Sequence, residues 1–144
     1  MALLGTYPHT LDAKNRLTVP SRFRGLLGDQ VVLAKAIEPC VGVWTPEAYE
    51  TFVEAALGQL NPLSPQARNL RRYFSANAFL TPIDGAGRVM VPAQLLDHAG
   101  VTKDVVVNGN DTCLEIWNRE RWAQESERLT ADVVDITAAF GLPS

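Results

Sequence analysis

The chain carries one pattern twice. Shifted by 72 residues along itself, Asp12 falls on Asp84, Arg16 on Arg88, Val19 on Val91, Pro20 on Pro92 and Gly28 on Gly100. A shift of 74 lays Val31–Lys35 over Val105–Gly109, and a shift of 73 puts Cys40–Trp44 over Cys113–Trp117, Glu47 on Glu120 and Tyr49 on Trp122. Order, spacing and residue type agree together, which marks two copies of one supersecondary unit. No low-complexity linker parts the copies, so they are expected to pack on each other.

Each copy reads the same way. A short strand (3–7, 77–83) leads to a turn, "DAKN" at Asp12–Asn15 or "DGAG" at Asp84–Gly87. A second strand follows at 16–19 or 88–91, with Val and Leu suited to a pleated surface. Pro20 and Pro92 stand where a short helix begins, and Gly28 and Gly100 where it closes. Two apolar strands come next, at 31–36 and 41–44, then at 104–109 and 113–117. Asn108–Asp111, "NGND", signals a hairpin turn.

Helices follow the units. Thr45 is placed to cap a helix with Pro46 at its first position, and Tyr49, Phe52, Val53, Ala56, Leu57 and Leu60 form its apolar stripe. "NPLSP" breaks it at 61–65, and Ser64 caps a second helix over 64–77. A last helix runs from about Asn118 into the 130s, with "GLPS" fraying at 141–144. The pattern predicts a mixed α+β, β-rich chain. Its parts are a first repeat with its helix (1–62), a connecting helix (63–76) and a second repeat with a C-terminal helix (77–144).

Composition narrows the function classes. Of 144 residues, 47% are hydrophobic and 20% charged, as in ordinary globular proteins. No apolar run reaches the roughly 18 residues of a membrane helix. The start has no basic region followed by an apolar core, so a cytoplasmic location is expected. Cys40 and Cys113 are too few for a disulfide framework and lack metal-ligand spacing. His9 and His98 are isolated, so no metal or cofactor is expected. No Ser-His-Asp, Cys-His or phosphate-loop signature is present, so the chain is not expected to be an enzyme.

The net charge of −3 does not by itself suggest a nucleic-acid partner, but the charge is unevenly spread. Lys14, Arg16, Arg22, Arg24 and Lys35 outnumber Asp12 and Asp29 in the first 37 residues, whereas acids dominate 111–135. The local field decides what approaches.

An Asp and an Arg four residues apart across a turn can pair and hold the loop, a contact worth at most about 1 kcal/mol when exposed. The same Arg, beside small residues at a strand start, can instead present its planar donor fork to a phosphate or a guanine edge. In the first copy Lys14, Arg22 and Arg24 surround Arg16. In the second, Ala86, Gln94 and Leu96 take their places around Arg88. The first copy is therefore read as the polyanion-binding one. Lys14, Arg16, Arg22, Arg24 and Arg88 are the candidate DNA-contacting residues, and Asp12, Asn15, Asp84 and Gly87 the candidate loop-structuring ones.

The stretches "LGTYPHTLDAKNRLTVPSRFR", "ARNLRRYFSANA", "IDGAGRVMVPAQLLDHAG" and "LEIWNRERW" closely resemble the MraZ family of bacterial regulators. The resemblance implies two AbrB-like units, each with an Asp-x-x-x-Arg motif, forming a double swapped-hairpin β-barrel flanked by helices. It also implies a ring-shaped homo-oligomer. Double-stranded DNA is the implied partner, at short direct repeats in the promoter of the division and cell-wall gene cluster, the regulator's own gene included. Repression is the implied main effect, and association with the nucleoid follows. The motif maps to Asp12, Lys14 and Arg16 and to Asp84 and Arg88. One departure stands out: Asn15 occupies a place usually held by Gly. Asn tolerates the left-handed conformation, so the turn is expected to survive. The competing reading is an AbrB-like antitoxin or a scaffold that does not bind DNA.

Overall fold

Apolar residues at every second position decide which face of each short strand is buried. Leu17 and Val19 in the first copy, and Val89 and Val91 in the second, are all at most 1% exposed, while Thr18 and Met90 between them face solvent. A computed structural model describes residues 2–141. Along the chain they form β1 (Thr6–Thr10), β2 (Arg16–Thr18), α1 (Ser21–Leu27), β3 (Gln30–Lys35), β4 (Val41–Trp44), α2 (Pro46–Leu57) and α3 (Pro65–Ala76). The second half adds β5 (Ala78–Pro82), β6 (Arg88–Met90), α4 (Ala93–Ala99), β7 (Asp104–Gly109), β8 (Leu114–Asn118) and α5 (Arg119–Ala139).

The fold is mixed α+β. Six antiparallel strands lie in the order β1-β7-β8-β4-β3-β5, and β2 pairs with β6 as a separate two-stranded ribbon. The repeats exchange strands. The first strand of each pairs with the third strand of the other, Thr10 opposite Asp104 and Pro82 opposite Gln30, which are equivalent positions. At the centre Gly42 faces Glu115, and in the ribbon Leu17 faces Val89. Each of these pairs joins matching residues of the two copies, so an approximate two-fold axis runs through both. The hydrogen-bonded ladder ends at β1 and β5 and does not close on itself.

One core serves both halves. Val31, Leu33, Val41 and Val43 meet their counterparts Val105, Val107, Leu114 and Ile116, all at most 1% exposed. Phe23 of α1 and Leu95 of α4, again equivalent, cover them. Fully burying such a side chain stabilises by about 1.5–3 kcal/mol. Neither half could bury these faces without the other.

The first strand differs from the sequence reading. β1 begins at Thr6 because Gly5 adopts φ 98°, which interrupts the extended run. Leu3 still exchanges two backbone hydrogen bonds with Asp111. Pro20 and Pro92 stand, as expected, where their helices begin, each as the residue before the first turn.

Outside the sheet, Thr45 and Ser64 accept capping bonds from the amides of Ala48 and Ala67. The Tyr49 hydroxyl donates to the Phe74 carbonyl at 2.7 Å, tying α2 to α3. Phe52 lies tilted against Trp44 and edge-on to Phe74. Helix α5 is capped by Asn118 and buries none of its residues fully. The expected fraying at 142–144 lies outside the described residues. No helix among the described residues is long and apolar enough to cross a membrane.

Candidate nucleic-acid interface

A carboxylate two residues before a backbone amide, and four before another, can accept from both and close a tight turn. Asp12 does so. Its Oδ1 accepts from the amides of Lys14 and Arg16, both at 2.9 Å, and its Oδ2 accepts from Arg16 Nε at 2.7 Å. The Asp12 amide donates to the Arg16 carbonyl, and the Asn15 amide to the Asp12 carbonyl. Asp84 repeats every bond with Ala86, Arg88 and Gly87. The amide of Arg16, and next its guanidinium, hold the Asp12 carboxyl below its ordinary range, and Arg88 does the same for Asp84. Asn15 takes φ 58° and Gly87 φ 78°, the left-handed conformation the turn requires.

The Asp and Arg therefore do pair, and the bond consumes Nε of each guanidinium. Among the described residues the terminal nitrogens of neither guanidinium form a hydrogen bond. Arg16 is 26% exposed and Arg88 35%, so neither is sealed from a docking molecule.

The ribbon brings the two loops together. Arg16 sits opposite Met90, and Thr18 opposite Arg88. Alternation sends Leu17 and Val89 into the core, so Arg16, Thr18, Arg88 and Met90 all point outward from one face. Diagonal neighbours on such a pair stand about 7–8 Å apart. The loops also clasp each other's strands: the Val19 amide donates to the Gly87 carbonyl and the Val91 amide to the Asn15 carbonyl. An antiparallel two-stranded ribbon is one of the two elements that fit the major groove of B-DNA.

The surrounding cations divide. Lys14 is exposed at the edge of a shallow groove shared with Met90 and Pro92. Arg22 is exposed, with its guanidinium carbon 4.7 Å from the Tyr7 ring centre. Arg24, grouped by sequence with the DNA-contacting residues, is half-buried. Its Nε donates to the Val19 carbonyl at 3.1 Å, and its guanidinium packs against Gly87. Sequence reasoning missed this contact between repeats. Its one signal was the Gly at position 87 where the first loop has Asn.

Other chemically capable residues lie elsewhere. Glu38, Cys40 and Glu115 bring their oxygen and sulfur atoms within 4.8 Å of one another. Both Glu115 oxygens already accept bonds, from Trp117 Nε1 at 2.9 Å and Asn110 Nδ2 at 3.1 Å. Burial, then the nearby carboxylates, push the Cys40 thiol far up. The Cys113 thiol rises to about 12 for the same reasons. Neither cysteine offers a ready thiolate. His9 is partly buried, which lowers its pKa, and Arg119 lowers it further.

Comparison with known proteins agrees with the duplication. The family model described as "MraZ protein, putative antitoxin-like" matches residues 2–73 and again 74–139. A protein named transcriptional regulator MraZ from Lachnoclostridium phytofermentans is 40% identical over 139 residues, covering 96% of this chain and 97% of its own. The protein of the same name from Thermoanaerobacter pseudethanolicus is 40% identical over 93% of each chain. That from Limosilactobacillus fermentum is 35% identical over 95% of each.

Proposed function

The chain belongs to the MraZ family, and from that membership we propose that it regulates transcription by binding double-stranded DNA through the outward face of the β2/β6 ribbon. The observation that carries this reading is the placement of Arg16 and Arg88 on one outward face of the ribbon, each with Nε held by an aspartate and its side chain partly exposed.

In this reading Asp12 and Asp84 set the guanidinium directions and touch no DNA. Arg16 and Arg88 reach guanine edges or phosphates, while Lys14 and Arg22 meet flanking phosphates. Arg24 works at one remove, by holding the second loop. The target is a set of short direct repeats in the promoter of the division and cell-wall genes, the chain's own gene among them, and the effect is mainly repression. The sheet and ribbon together act as the swapped-hairpin barrel of AbrB-like units, and several copies assemble into a ring. One ribbon binds weakly. Copies on successive repeats gain effective concentration, so a protein of net charge −3 can still select a promoter. The working location is the cytoplasm, on the nucleoid.

Footprinting on the DNA upstream of the chain's own gene tests the proposal. Protection at repeated short sites, lost in a folded Arg16→Ala protein, is the expected result. A stoichiometric toxin that co-purifies, with no footprint, would favour the antitoxin reading instead.

A further inference from the structure

The outward face of the ribbon is almost two-fold symmetric. Arg16 and Arg88 are equivalent, and so are Thr18 and Met90. The last pair alone breaks the symmetry. Met90 is 56% exposed although Val89 beside it is fully buried. It lies directly across from Arg16 and shares a groove with Lys14 and Asn15. An unbranched apolar side chain thus stands between Arg16, across the ribbon, and Lys14, at the rim of a groove also lined by Phe79, Leu80 and Pro82.

We infer that Met90 is a specificity-determining residue that packs on the C5-methyl group of a thymine next to the base or phosphate held by Arg16. The inference rests on the DNA-binding reading above. Three features point to this occupant. The surrounding cations Lys14, Arg16 and Arg88 favour a polyanion over an apolar protein surface. Thymine is the one base presenting a methyl group in the major groove, the groove a two-stranded ribbon fits. A thioether chain has the length and flexibility to follow that methyl. Opposite Arg88 the matching contact is Thr18, shorter and carrying a hydroxyl. The two ends of the ribbon therefore read different base steps, and each binding site has a direction. Directional half-sites suit direct repeats.

In vitro selection from a random duplex pool tests this with wild type and Met90→Gln, a polar residue of similar length. Wild type should enrich a thymine at one fixed position. Met90→Gln should lose that preference alone and keep every other base preference of wild type. Replacing the selected thymine by deoxyuracil, which removes only the methyl, should weaken wild type about fourfold, the worth of one buried methyl, and leave Met90→Gln unchanged. The inference is overturned if no thymine is selected, if the variant selects the same sequence, or if the variant loses every preference together. A wild-type protein that enriches no sequence would refute the DNA reading itself, a distinct outcome.

Discussion

The guanidinium of Arg24 fills the space in which a Cβ on Gly87 would sit. That relation explains why the two loops tolerate different residues before their arginines. The counterpart of Arg24 in the second copy is Leu96, an apolar residue of the core with no guanidinium to lay on a loop. Asn15 is therefore exposed and free to carry a side chain, whereas Gly87 is buried beneath an arginine.

Gly87→Ala must accept both a left-handed backbone, about 1–2 kcal/mol, and an overlap with Arg24, about 1–3 kcal/mol. A loss of about 2–5 kcal/mol in urea unfolding is expected, against less than about 0.5 kcal/mol for Asn15→Gly. The double variant Gly87→Ala with Arg24→Ala should cost less than the sum of the singles, by at least about 0.5 kcal/mol. Strict additivity would mean that the two residues do not meet.

The aspartates should titrate low. Hydrogen bonds from Arg16 and Arg88 depress the folded-state pKa values of Asp12 and Asp84 below 3.8. A depressed carboxylate contributes stability that is complete above the unfolded value. That contribution is lost as pH falls through the lower folded value. Carbon-detected NMR titration of the two side-chain carboxyls should give midpoints under 3.8 for both. Asp12→Asn should disturb the amides of Lys14 and Arg16 and leave those of Ala86 and Arg88 in place. Midpoints at or above the ordinary value would contradict the loop geometry.

Adjacent residues of the ribbon should behave oppositely. Leu17→Ala removes a side chain that is 1% exposed and is expected to cost about 2–5 kcal/mol. Thr18→Ala, one residue along and facing solvent, should change stability by no more than about 0.5 kcal/mol. Equilibrium unfolding of both decides whether the assigned faces are right, since a one-residue slip would reverse the order.

The duplication, the secondary structure and the core positions were legible because alternation and turn residues are local signals. The exchange of strands was not legible in the residue pattern, and only the family resemblance, with its swapped hairpin, implied it. A copy whose first strand pairs with its own third strand has the same period-two pattern as one that pairs with its neighbour's, so Thr10 opposite Asp104 leaves no mark in sequence. The nearness of Arg16 to Arg88 comes from the pairing of β2 with β6, and that of Glu38 to Glu115 from the pairing of β4 with β8, both of which join one repeat to the other. Arg24 read as a surface cation because its partner, Gly87, lies in the other repeat. The Asp–Arg pairing could not be separated from an exposed fork by spacing alone. In the structure Nε of each arginine pairs with its aspartate while the side chain stays partly exposed.

The most direct test of the shared face is the affinity of folded Arg16→Ala and Arg88→Ala proteins for the upstream promoter duplex, measured between about 50 and 200 mM salt beside wild type. Each substitution should weaken binding. The slope of log affinity against log salt should become shallower by about 0.9 for a lost phosphate contact, or a lost guanine contact should remove about 1–3 kcal/mol of base discrimination. Wild-type affinity and slope in either folded variant would contradict a single DNA-facing surface built from both repeats.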